Sequence, residues 1–192
     1  MSPATPQSAD DDTLMARVAL RDAAAFRVLV DKHAGKAHRI GWRMLGDAIE
    51  AEDVAQEAML KLWEQADKWQ AGSAGVGAWL NRVATNLCLD RLRRRRFSSD
   101  EEIPERVDEC PLADAQMDAE WMRNRAMHAV QALPDRQRAA IVLTYYEECS
   151  NGAAAEILDL NIKAFESLLL RARQALKAAL GDVRTARQGG VA

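Results

Sequence analysis

A chain of 192 residues, 48% of them hydrophobic, can bury one mid-sized core or two small ones. No run approaches the ~20 apolar residues of a membrane span, and the start, Met1 to Asp12, has prolines and aspartates where a signal peptide would be basic and then apolar, so a cytoplasmic protein without membrane insertion is expected. The net charge of −3 conceals a segregation, because residues 98–120 hold nine acids against one base and leave the remainder basic.

Residues 1–12 read as a disordered tail, and Thr13 is the expected first N-cap. Leu14, Val18, Phe26, Leu29 and Val30 then recur at helical spacing, over two short helices broken near Arg21-Asp22. A further helix carries Ile40, Trp42, Met44 and Leu45 and ends at the turn signal Gly46-Asp47. Val54, Ala55, Ala58, Met59, Leu62 and Trp63 mark the apolar face of the next. Gly72, Gly75 and Gly77 predict a flexible loop. Beyond it, Trp79, Leu80, Val83, Ala84, Leu87 and Leu92 give one long helix running into Arg91, Arg93, Arg94, Arg95 and Arg96.

The acidic stretch 98–113, with Ser98, Ser99, Pro104 and Pro111, is too poor in large apolar residues to pack a core and reads as a linker. The second half resumes near Leu112 to Asp114, continues as a helix from Trp121 to Ala132, and restarts at Pro134 with Ile141, Val142, Leu143 and Tyr145. A short alanine-rich helix near Gly152 to Leu158 precedes a long one from Ile162 to about Leu180, with 181–192 as a tail. There is no strand signal. The predicted fold class is all-α, two small helical domains joined by an acidic linker.

Two segments carry chemistry. On the last helix, Ile162, Phe165, Leu168, Leu169, Ala172 and Leu176 share one side, while Lys163, Ser167, Leu170 and Gln174 fall opposite, flanked by Glu166 and Arg171. The short helix, the tight Asp159-Leu160-Asn161 turn and this polar-faced helix make a helix-turn-helix, with Asn161 capping the helix that enters a major groove. On the basic helix, an arginine run alone can be a solvated face. Here Asn86 can pair with a base edge and the arginines with phosphates, while Trp79 can be either a stacking platform or a core residue. Cys88, Cys110 and Cys149 are far apart and form no CxxC pair with each other, so neither disulfide, metal nor cofactor is expected.

Taken in order, these motifs resemble the extracytoplasmic-function (group IV) sigma factors of bacterial RNA polymerase. Asp22 to Asp31 looks like the family's opening helix, Arg43 to Trp63 its core-polymerase helix, and Ala78 to Arg96 its −10 element helix. The LPDRQR run Leu133 to Arg138 and the RAR run Arg171 to Arg173 complete the set. The resemblance implies a sigma-2 domain at 13–97, the linker at 98–113, and a sigma-4 helix-turn-helix domain at 114–180. It further implies core RNA polymerase, promoter DNA and an anti-sigma factor as partners. It carries Asp53, Gln56 and Glu57 onto the polymerase surface. It assigns Trp79, Arg82, Asn86, Arg91, Arg94 and Arg95 to the −10 element, with Asn86 lining a pocket for a flipped base. Lys163, Glu166, Ser167, Leu170, Arg171 and Arg173 would read the −35 element. Glu166 and Leu168 stand where the family often has basic residues, and Ser150 to Ala155 lacks its usual aromatic and acid, which leaves the −35 sequence open.

The expected function is promoter selection and opening without catalysis. A stand-alone helix-turn-helix regulator is the rival, and the basic helix with Asn86 argues against it. An enzyme on nucleic acid would need a paired-carboxylate, metal or nucleophile set that the sequence lacks. A redox or metal sensor would have to use the three cysteines.

Overall fold

The computed structural model describes residues 10–71, 74–98 and 124–188, and every regular element among them is helical. The acidic stretch beyond Ser98 and the expected start near Trp121 lie outside the described residues. The chain divides into two compact units, Met1–Cys88 and Leu89–Ala192.

In the first unit, α1 (Asp11–Ala19) begins two residues before Thr13 and inside the expected tail; its N-cap is Asp10. Asp11 and Asp12 then have partners that a tail would not offer. Asp11 accepts from Lys32 Nζ at 2.7 Å and pairs with His33 Nε2 at 2.8 Å, and Asp12 accepts from Trp69 Nε1 at 2.9 Å. Partial burial pushes the Asp11 carboxyl up, but Lys32 and His33 outweigh it and hold the group below the usual carboxylate range.

The break at Arg21-Asp22 is as expected. Arg21 takes a left-handed φ of 63°, and Asp22 caps the next helix by accepting from the amides of Ala24 and Ala25. The Ala25 amide and the Arg17 guanidinium keep the Asp22 carboxyl below its ordinary range. That helix, α2 (Ala23–Leu45), is a single rod of 23 residues. The expected separation before Ile40 does not occur, because Gly35 only weakens a helix that buries Ala25, Leu29, Ala37, Ile40 and Met44 along one stripe.

The Gly46-Asp47 signal does end α2. Gly46 adopts φ 71°, and Asp47 accepts from the amides of Ile49 and Glu50 to start α3 (Ala48–Gln65). So short a turn folds α3 back onto α2, and Gly41 is where they meet. A methyl at Gly41 would lie 2.8 Å from Ala51 Cα. The long basic helix α4 (Gly75–Ser98) starts earlier than expected, taking Gly75 and Gly77 from the predicted loop into its first turn. It buries Val76, Leu80, Ala84 and Cys88.

In the second unit, α5 is described over residues 124–131. Next comes α6 (Asp135–Ile141), which passes into a π turn, Val142–Tyr146, and then α7 (Asn151–Ile157) and α8 (Ile162–Gln188). The last helix thus runs on beyond Leu180, through most of the expected tail. Phe165, Leu169 and Ala172 of α8 are buried, with Val130, Leu133, Ile141, Val142, Leu143 and Leu158. Among the described residues, no helix is long and apolar enough to cross a membrane.

The two mid-helix glycines of α2 should respond oppositely to alanine. At Gly41 the added methyl meets the Ala51 backbone, which cannot swing aside, so Gly41→Ala should cost about 1–3 kcal/mol despite better helix propensity. At Gly35 it meets only the end of the Arg39 side chain, at 3.5 Å, and Gly35→Ala should stabilise by about 0.5–1 kcal/mol. Urea unfolding followed by circular dichroism reads both; equal shifts would refute the close α2–α3 approach.

Candidate nucleic-acid interface

Three helix faces hold the residues singled out from the sequence. On α8, Asn161 Oδ1 accepts from the Ala164 amide at 2.9 Å, as expected of the cap. Lys163, Glu166, Ser167, Leu170, Arg171 and Gln174 are all exposed beyond it, opposite the buried Phe165, Leu169 and Ala172. The capped amide end and the polar row together can approach phosphate and base edges. The Ser167 hydroxyl donates to the Lys163 carbonyl at 2.9 Å, and Arg171 Nε donates to the Ser167 carbonyl at 3.2 Å. Arg173 sits at the margin of the row with its guanidinium 5.5 Å from the Tyr145 ring centre, so a role at phosphate competes with this cation–π contact.

The turn that aims α8 is held from within. Asp159 takes φ 52°, a conformation that aspartate tolerates better than most residues. Ser150 caps α7 by accepting from the Ala153 amide at 3.2 Å. Both arginines of the LPDRQR run donate to backbone carbonyls, Arg136 from an exposed position and Arg138 from a buried one. Arg136 Nη2 donates to the Leu158 carbonyl, at the end of α7. Arg138, only 9% exposed, donates through Nη2 to the carbonyls of Gln131 and Leu133, the latter at 3.1 Å. The motif therefore builds the helix-turn-helix by satisfying carbonyls at helix ends, a role that its charge alone does not reveal.

On α4, Arg82, Asn86 and Arg94 are exposed. At about 100° per residue, Arg82, Asn86 and Arg93 lie within ~40° of one another, so Arg93, part of the arginine run but outside the set the resemblance assigns to the −10 element, joins the face. It forms an ion pair with Asp90. Arg91 and Arg95 are turned about 120° and 160° from Trp79, toward the side that carries the buried stripe, and Arg91 is half-buried. Trp79 is half-buried too, packed edge-on against Trp69 with ring centres 6.5 Å apart. Since Asp12 fixes Trp69, the core reading of Trp79 gains over the open stacking platform.

On α3, Asp53 and Gln56 are exposed and Glu57 is half-buried. Gln56 donates to Glu52 at 3.2 Å, and Glu57 pairs with Lys61 at 3.5 Å. Ile49, 75% exposed, and Leu60, 55% exposed, lie on the same face. Acids framed by apolar side chains suit a protein partner better than solvent. Exposure of these two side chains was hidden from a reading that sought the buried stripe. Among the described residues no group of three His, Cys, Asp or Glu could hold a metal.

Two families match in chain order: Sigma-70 region 2 over residues 29–98, and Sigma-70, region 4 over residues 123–176. The chain is 32% identical over 173 residues to the ECF RNA polymerase sigma factor SigW of Bacillus subtilis, covering 84% of this chain and 92% of that one. It is 29% identical over 176 residues to SigK of Mycobacterium tuberculosis, covering 88% and 93%. Among solved structures, CnrH in complex with the cytosolic domain of CnrY is similar with a TM-score of 0.64 and 27% identity, covering 90% of this chain and 97% of that one. The sigma factor RpoE in complex with the anti-sigma factor NepR from Bartonella quintana is similar with a TM-score of 0.63 and 26% identity, covering 80% and 93%.

Replacing Arg138 with methionine keeps the length and apolar stem but orphans two carbonyls. Arg138→Met should lower stability to urea by about 1–3 kcal/mol. Unchanged stability would mean that these carbonyls have other partners.

Proposed function

The chain belongs to the extracytoplasmic-function sigma factors of the sigma-70 family, and from that premise we propose that it binds core RNA polymerase, directs it to −10 and −35 promoter elements and helps open the duplex. Its family is non-enzymatic: the polymerase makes the RNA. The observation that carries the reading is the conjunction, in one chain and in order, of both sigma-70 regions with an exposed basic face on α4 and a capped, polar-faced α8. A stand-alone regulator would not need the first face.

In this reading residues 11–97 form the polymerase- and −10-binding domain, with α1 included, 98–113 the linker, and 114–180 the −35-binding domain. Asp53, Gln56 and Glu57 meet a basic surface of the polymerase, with Ile49 and Leu60 as apolar flanks. Arg82, Asn86 and Arg93 face the −10 region, with the exposed Arg94 about 100° further round the helix; the arginines neutralise phosphate and the Asn86 amide pairs with an unstacked base. Trp79, held by Trp69, lies on that side of α4 two turns before Asn86, and Arg91 and Arg95 add charge from the side turned away from it. Lys163 and Arg171 hold phosphate or guanine beside α8, while Glu166 and Ser167 meet base edges.

An anti-sigma factor is the expected regulator, a reading supported by the complexes in which CnrH and RpoE were solved. The cytoplasm, where polymerase and promoter meet, is the proposed location.

Charge reversal of both Asp53 and Glu57 to lysine should weaken competition for core polymerase about tenfold or more and leave −35 duplex binding intact. Competition equal to that of the unsubstituted chain would remove the patch from the interface. Asn86→Ala should act later, reducing open complexes about tenfold even on a template already melted at −10. Full activity on the melted template would show that Asn86 does not capture a base.

A further inference from the structure

The polar row of α8 has an apolar residue in its middle. Leu170 is 55% exposed, on the side away from Phe165, Leu169 and Ala172. A lone exposed leucine is ordinary on a protein surface. The position of this one is informative: it lies one turn beyond Glu166 and three residues beyond Ser167, within the first turns after the Asn161 cap, where a groove-entering helix meets base edges.

Its neighbours narrow the chemistry. Ser167 has spent its hydroxyl hydrogen on the Lys163 carbonyl, so toward a groove it can only accept. Glu166, as a carboxylate, likewise accepts. This part of α8 therefore presents two acceptors and one apolar tip. In the major groove, thymine alone carries an apolar group, its 5-methyl, and its partner adenine offers an amino donor on the same edge. Guanine, which shows two acceptors there, meets no donor from these three residues.

We propose that Leu170 is a specificity-determining residue that contacts the 5-methyl group of a thymine in the −35 element, while the adenine amino group of that base pair meets Ser167 or Glu166. The contact rests on the reading of α8 as the −35 helix. It selects an A·T pair at one position, where Lys163 and Arg171 beside it serve affinity.

The test uses the full chain bound to core polymerase. Sequences enriched from a duplex randomised upstream of the start site define the element, and each thymine is then replaced by uracil, which lacks only the methyl. The expected result is a loss of about fourfold in affinity at one thymine and none at the others. Leu170→Ala holoenzyme should bind the thymine and uracil duplexes equally, with unchanged thermal stability, since the side chain is exposed. Equal binding of both duplexes by the unsubstituted holoenzyme overturns the methyl contact and leaves the −35 assignment standing. A uracil penalty that persists in Leu170→Ala also overturns it, because another residue then touches the methyl. Enrichment of no sequence at all overturns the −35 assignment and the contact together.

Discussion

A helix leaves amides unpaired at its start and carbonyls at its end, and a small helical chain has many ends to satisfy and little interior in which to hide them. Here side chains close those ends, and the closures orient the functional faces. Asp22, Asp47, Ser150 and Asn161 accept from first-turn amides. Arg136 and Arg138 donate to carbonyls at the ends of α7 and α5. The direction of α8 follows from two of these, the Asn161 cap and the Arg136 clamp, either side of the left-handed Asp159. Rigid presentation matters because base readout depends on donor and acceptor positions, whereas phosphate attraction tolerates error.

Charge is distributed to the same end. A net charge of −3, spread evenly, would oppose binding to a polyanion, but the acids concentrate in residues 98–120 and on the outer face of α3, and the arginines on α4. At the ionic strength of a cell the Debye length is about 8 Å, so a DNA phosphate responds to the face before it rather than to the sum. One chain can thus offer an acidic face to a basic protein and a basic face to DNA. Ile49 and Leu60, exposed beside the acids of α3, add apolar area to the first of these encounters.

What could be read from the sequence was local. Gly46-Asp47, Arg21-Asp22, Pro134 and Asn161 announce helix ends through chemistry within a few residues, and the structure has helix ends there. The exposed row of α8 and its buried Phe165, Leu169 and Ala172 follow equally from the helical period, although Leu168 and Leu176 of the expected stripe are only half-buried and Ile162 is exposed. What depended on distant partners was not legible. Asp11 and Asp12 look like a tail until Lys32, His33 and Trp69 come within 2.9 Å of them. Ile40 to Leu45 look like a helix of their own until packing carries α2 through Gly35. Trp79 was open to two readings because its packing partner, Trp69, is fixed by an aspartate 57 positions away. Arg136 and Arg138 stand in the sequence only as members of the LPDRQR run, and only the fold shows them bonded to carbonyls. Periodicity marks which side is apolar; it does not say which exposed side chain has a partner.

Every proposed residue role requires that this chain give a polymerase its choice of promoter. Transcription in vitro with core enzyme and a genomic template library, followed by mapping of RNA 5′ ends, tests it most directly. Addition of the chain should produce a discrete set of start sites absent with core enzyme alone, each preceded by common sequence blocks at −10 and −35. Start sites that do not change on its addition, or that share only one upstream block, would contradict the two-element reading on which every assignment above depends.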